Sequence, residues 1–228
     1  MSPLPRPAPA APSPGEARAF IKANTAPGRH PLVPEIRLHL AGEMTPIWRA
    51  SEDSLKAAGV EPPFWAFVWP GGAAMARHIL DHPALAAGRD VLDIAAGSAV
   101  AAIAAARAGA RRVRASDIDA TARAAIAANA ALNGVSIEAP EADLLAAPAP
   151  EVDLILAADV FYDRALAARI GPWLAAARAK GSGVLISDPG RTYLPAAGLE
   201  ALARYAVPTP LDLEDRELCE TVIYRLKG

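Results

Sequence analysis

The sequence predicts an α/β fold: a doubly wound, mostly parallel sheet with helices on both faces, closed by an antiparallel strand. Three observations carry this. From Arg89 onward, short apolar runs alternate with Ala-rich helical stretches. The run Val91–Ile94 ends in a turn of small residues, Ala95-Ala96-Gly97-Ser98-Ala99, and passes straight into a helix. Two apolar runs near the C-terminus, 207–213 and 217–226, are joined by a connection too short for a parallel crossover, so they form an antiparallel hairpin.

The elements follow in order. Met1–Gly15 holds six prolines and no apolar signal-like core, and reads as a disordered Pro/Ala tail. Residues 16–228 read as one domain, with 16–85 an N-terminal extension and 86–228 the ligand-binding core. Glu16–Asn24 is predicted helical, and 34–40 alternates apolar with polar side chains as a half-buried strand does. Ser51-Glu52-Asp53-Ser54 opens a short helix that Gly59 ends. A Pro- and Trp-rich stretch, 62–72, leads into a helix to about Leu80. Strands are expected near 90–94, 112–117, 135–139, 152–158 and 182–187. Helices are expected at 98–108, 119–132 and 163–178, with Asp119 capping the second of these. A short helix is expected near 196–205.

Composition removes several function classes. The net charge is −2, so no global basic surface favours nucleic acid. The single Cys219 forms no internal disulfide and no metal cluster, which points to a reducing cytoplasm. No apolar run reaches 18 residues, so no membrane span is expected. His30, His39, His78 and His82 lack metal-ligand spacing, and no G-x-S-x-G elbow occurs. A monomer is expected.

The turn after Asp93 has the outline of a Rossmann crevice, but it departs from G-x-G-x-x-G. With Gly97 as the middle glycine, Ala95 and Val100 take the other two places. Val100 crowds a pyrophosphate, which argues against a dinucleotide. S-adenosylmethionine carries no phosphate. Its amino-acid end needs backbone polar groups, such as those about Ala95, and an acid near the ammonium, which Asp93 supplies. The alanines at 95 and 99 are tolerated there if their φ angles stay negative. Asp117, 20 residues beyond Gly97, is placed to accept both ribose hydroxyls, with Ile118 over one adenine face. Asp143 follows the third strand and accepts the adenine amino group, with Leu144 against the ring.

At the fourth strand end the chain reads Asp159-Val160-Phe161-Tyr162-Asp163, which resembles the D-x-x-Y signature of seven-β-strand protein-lysine methyltransferases. Pro63-Phe64-Trp65-Ala66-Phe67-Val68-Trp69-Pro70-Gly71-Gly72 and Asp188-Pro189-Gly190-Arg191 resemble segments of the electron transfer flavoprotein β-subunit lysine methyltransferase family, as do Asn24-Thr25 and Pro34–Leu38. The resemblance runs from about residue 20 to the end. It implies a seven-stranded class I methyltransferase sheet, S-adenosylmethionine as donor, S-adenosylhomocysteine as product, and the flavoprotein β-subunit as protein partner. It also implies that Trp69 and Gly97 flank the donor and that Asp159 and Tyr162 line the transfer pocket. Relatives usually carry glycine where Ala95 and Ala99 stand.

Methyl transfer from a sulfonium to an amine is an in-line displacement, so the site must align the partners and keep the amine deprotonated. Burial lowers a lysine pKa, whereas a neighbouring carboxylate raises it. Asp159 therefore reads as an orienting acceptor rather than a strong base. Trp65, Phe161, Asp163, Asp188 and Arg191 fall on the substrate side, with aromatic faces for a cationic amine. Trp65 and Phe161 also read as core residues. Other readings are methylation of a different protein such as a ribosomal protein, methylation of a small amine, or a non-catalytic S-adenosylmethionine-binding module.

Overall fold

The computed structural model describes residues 12–42, 63–141, 143–210, 214 and 216–228. The helix expected at 51–59 lies outside them. Helix α1 (Pro14–Asn24) starts two residues inside the expected tail. Ser13 is its N-cap, and the Ser13 and Glu16 side chains satisfy each other's backbone N–H groups, a capping box. Strands β1 (Ala26–His30) and β2 (Val33–Leu40) form a separate antiparallel ribbon. The Pro27-Gly28 pair hides β1 from any periodicity argument.

The main sheet follows. Helix α2 (Pro70–Asp81) precedes β3 (Asp90–Ile94), α3 (Val100–Arg107), β4 (Arg112–Ser116), α4 (Ala120–Leu132), β5 (Leu154–Ala158), α5 (Arg164–Ala179) and β6 (Gly183–Asp188). Strands β7 (Leu199–Pro208) and β8 (Leu218–Leu226) complete six strands in the order β4-β3-β5-β6-β8-β7. The first four are parallel, and β8 runs antiparallel to both β6 and β7. Alternation along β3 and β5 divides the core. Val91, Leu154 and Leu156 face α2 and α3, while Leu92, Ile94, Ile155 and Ala157 face Ile170, Trp173 and Leu174 of α5.

Two expectations change. The segment expected as a helix at 196–205 is strand from Leu199 on: β7 pairs with β8 from Leu199 to Pro208 across a bulge at Ala201–Ala203. Alanine-rich local propensity is weak against a full ladder of cross-strand hydrogen bonds. Residues 135–139 supply only one bridge, Arg114 to Glu138, so the expected seventh strand is reduced to a single pairing.

The chain leaves β3 for β4 on one side and returns to β5 on the other. That reversal opens a crevice at the C-terminal ends of the strands, where α/β sheets bind ligands. Among the described residues, no helix is long and apolar enough to cross a membrane.

Candidate active site

A cavity of about 650 Å³ occupies this crevice. Its floor is the turn after β3. Ala95, Gly97 and Ala99 all have positive φ, at 54°, 50° and 61°. The condition set for the two alanines in the sequence is therefore not met: both sit in the left-handed region. The turn is closed by Ala99 N–H donating to Ala96 O at 2.7 Å. Left-handed geometry costs an alanine about 1–2 kcal/mol, while glycine gives back about 0.4–1 kcal/mol through the freer unfolded chain. Ala95→Gly is expected to stabilise the protein by about 0.5–1 kcal/mol, raising Tm by ~2 °C in a thermal melt. Ala99 is fully buried, so Ala99→Gly also loses about 0.8 kcal/mol of methyl burial and should come out near neutral.

The acids stand around that floor. Asp93 is buried, and its Oδ2 accepts from Ala102 N–H in the first turn of α3 at 3.0 Å. Burial pushes its carboxyl up to about 7. Asp117 accepts from Gly97 N–H through Oδ2 and from Asp119 N–H through Oδ1, each at 3.0 Å. Two backbone donors leave further lone pairs on a carboxylate free for a diol. Burial raises Asp117 above the ordinary carboxylate range. Arg123 fixes the loop by donating to the carbonyls of Asp117 and Ile118. Ile118 lines the cavity with its side chain 76% exposed. Across the cavity, Asp143 caps the turn that carries Leu144, and the Arg169 guanidinium at 2.6 Å holds it below its usual pKa.

Asp159 ends β5 in a left-handed conformation, φ 53°. Its N–H donates to Ser187 O at 3.0 Å, and its Oδ2 accepts from Gly72 N–H at 3.0 Å. That approach requires Gly71: a Cβ there would lie 2.5 Å from Asp159 Oδ2 and 2.7 Å from Ser187 O. Asp159 Oδ1 is buried without a hydrogen-bond partner among the described residues. Burial pushes the carboxyl up to about 7 against the pull of Arg191. Tyr162, 49% exposed, lines the cavity and packs against Phe64 at 5.8 Å between rings; Phe64 also meets Trp69 at 5.7 Å. Trp69 Nε1 donates to Phe64 O at 3.0 Å.

Other expected positions move. Phe161 is 1% exposed and belongs to the core under α5, so it does not line the cavity. The left-handed turn at Asp159 sends Val160 and Phe161 inward and Tyr162 outward. Trp65 borders the cavity, but at 2% exposure its ring is part of a small core with Ile21, Ala122 and Ala125. Its neighbour Phe64 takes the cavity-facing role. Asp163 is the N-cap of α5, accepting from Leu166 N–H at 2.8 Å. Asp188 is fully buried, with Oδ1 accepting from the N–H groups of Gly190 and Arg191. Of Asp163, Asp188 and Arg191, Arg191 alone lines the cavity. Phe64, Gly71, Gly72 and Glu214 were not singled out from the sequence. For the glycines, the signal was the Pro-Gly-Gly at a helix start.

The chain is similar to known proteins. A family model described as "Ribosomal protein L11 methyltransferase (PrmA)" matches residues 73–162. The chain is 35% identical over 213 residues to the electron transfer flavoprotein beta subunit lysine methyltransferase of Xenopus laevis, covering 91% of this chain and 85% of that one. The Mus musculus protein of the same name is 34% identical, with 91% and 83% covered. Among solved structures, the ribosomal protein L11 methylase of Lactobacillus delbrueckii subsp. bulgaricus superposes with a TM-score of 0.51 at 23% identity, covering 71% of this chain and 81% of that one. The magnesium protoporphyrin IX methyltransferase of Synechocystis PCC 6803 with bound SAM gives 0.50 at 17%, covering 71% and 84%. At such identities the two structures show a shared fold.

Proposed function

Since the chain belongs to the electron transfer flavoprotein β-subunit lysine methyltransferase family, we propose that it transfers a methyl group from S-adenosylmethionine to a lysine of that subunit. One observation carries the site assignment. At the wall of the cavity stands an acid, Asp159, with one oxygen pinned by backbone and the other buried without a hydrogen-bond partner among the described residues. The cavity itself fits the donor. Asp117 has lone pairs for the ribose, Ile118 and Leu144 offer apolar faces for the adenine, and Asp143 stays ionised as an acceptor. Asp93 also lines the cavity and would be the acid for the donor's ammonium.

The bound donor supplies an electrophilic methyl on a sulfonium. An amine held beside it would take that methyl as the S–CH₃ bond breaks, with S-adenosylhomocysteine as the leaving group. The chain's own residues align the amine. Asp159 Oδ1 accepts its hydrogen bond, and the Tyr162 ring flanks it. Transfer of a proton from a lysine near 10.4 to an acid at about 7 is uphill by about 4–5 kcal/mol. Asp159 therefore orients the amine and stabilises charge, and the proton passes on to solvent. Methylation keeps the amine basic, so repeated transfer is chemically open.

The protein acts as a monomer in a reducing cytoplasm, without nucleic acid; the buried lone thiol of Cys219 supports the compartment. A ribosomal protein is the second acceptor reading. The L11 methyltransferase model favours it, but that match ends at residue 162 and leaves out Asp188, Arg191 and Glu214. Incubation with methyl-labelled S-adenosylmethionine and purified flavoprotein β-subunit should place label on lysine, located by mass spectrometry. Label on a ribosomal protein of a lysate, and none on that subunit, would reverse the choice. Asp117→Ala should weaken donor binding by about 10-fold or more in calorimetry, the loss expected when a hydrogen-bonded charged acceptor is removed.

A further inference from the structure

Two carboxylates compete for one guanidinium beside the transfer site. Arg191 Nη1 donates to Glu214 Oε2 at 3.2 Å, and Nη2 makes a shorter contact with Glu214 Oε1. This is the two-pronged pairing that arginine makes most strongly. The same Nη2 lies 3.6 Å from Asp159 Oδ1, inside ion-pair range but beyond a hydrogen bond. Asp159 Oδ1 is buried without a hydrogen-bond partner among the described residues, and so is Arg191 Nε. A buried carboxylate oxygen without a hydrogen bond is costly, and the guanidinium 3.6 Å away is a group able to satisfy it. Glu214 prevents that.

The topology explains how Glu214 arrives there. β8 is antiparallel to β6, with Val222 opposite Asp188, so the start of β8 and its connection from β7 lie at the C-terminal end of the parallel strands. Glu214 hangs from that connection, its N–H donating to Pro210 O at 3.2 Å. Its carboxylate is 15% exposed, in contrast to the ion pairs on the outer surface.

Taking Asp159 as the acceptor of the substrate amine, as proposed above, we infer that Glu214 is a positioning residue: it draws Arg191 away from Asp159, so that Oδ1 remains for the incoming lysine. Among the described residues, the groups facing Asp159 are Arg191 from the loop after β6, Asp188 at the end of β6, and the backbone N–H groups of Gly71 and Gly72 in α2. The buried thiol of Cys219 on β8 shares the field of Glu214, Arg191 and Asp159. Removing the Glu214 charge lets the guanidinium close on Asp159. The amine must then displace it, and the nearer cation holds the Asp159 carboxyl lower.

The test uses the full-length enzyme with its protein substrate. Glu214→Gln should raise KM for the protein about tenfold or more with kcat changed little. The acidic limb of the kcat/KM profile should move to lower pH, and donor Kd by calorimetry should stay within twofold. Glu214→Asp, which keeps the charge, should recover most of the KM and return the limb. A Glu214→Gln enzyme with wild-type KM and pH profile overturns the inference. So does a loss shared equally by donor binding, or one that Glu214→Asp does not recover. Asp159→Asn in the same assay separates the failures. If it stays active, the reading of the site fails and Glu214 falls with it. If it is inactive while Glu214→Gln is normal, the positioning role alone fails.

Discussion

Asp159→Asn lowers kcat/KM for methyl transfer by about 100- to 1,000-fold while donor affinity changes little. The size is that of removing one preorganised group aimed at developing charge in a water-poor site. The amide keeps the side chain's shape and leaves Gly72 N–H with an oxygen to donate to. It replaces the buried, unpartnered Oδ1 with an NH₂ that donates, so the lysine amine meets a donor where it needs an acceptor. The pH profile distinguishes this from a folding defect. In the wild type, Asp159 offers a charged acceptor at Oδ1 when ionised, whereas protonation there makes Oδ1 a donor, and burial pushes its carboxyl up to about 7. At saturating donor, kcat/KM therefore falls as pH drops through about 7. The Asn variant loses that limb and keeps the rise at higher pH that comes from the lysine itself. Saturation with donor matters because Asp93, the acid proposed to meet the donor, is also pushed up to about 7 and titrates in the same range.

Much of this site is legible in the sequence, for a physical reason. In a parallel sheet every strand ends on the same side, so an acid just after each apolar run is brought to one crevice by topology alone. Asp93, Asp117, Asp143 and Asp159 all line the cavity on that logic. What sequence order does not encode is rotation about a strand end. The left-handed turn at Asp159 decides that Tyr162 faces the cavity and Phe161 the core, and the 64–66 turn decides the same between Phe64 and Trp65. Nor does local composition encode a ladder partner. Ala201–Ala206 looks helical in isolation and is strand because β8 pairs with it. Glu214 was invisible for a related reason: its role comes from the antiparallel reversal of β8, which returns a distant loop to the ligand side.

Gly71→Ala should cost about as much activity as the loss of Asp159 itself, through a different cause. An added Cβ would lie 2.5 Å from Asp159 Oδ2, 2.7 Å from its Cγ and 2.7 Å from Ser187 O. Oδ2 alone could rotate away. The Ser187 carbonyl cannot, because it accepts the N–H of Asp159 at 3.0 Å and lies in the β5–β6 ladder. The methyl group therefore forces α2 off the strand ends and breaks the Gly72 N–H bond that pins the carboxylate. Overpacking of this kind costs about 1–3 kcal/mol of stability. A displacement of about 1 Å at a reacting centre costs about 100-fold in rate. Thermal melts should record the first and single-turnover methyl transfer the second. Gly72→Ala is the control one residue on: its Cβ meets only a Val100 methyl at 3.1 Å, which a small shift of that side chain relieves. The contrast between neighbouring glycines separates a demand for backbone approach to Asp159 from a general intolerance at the start of α2. Equal losses from the two variants would remove the special place given to Gly71.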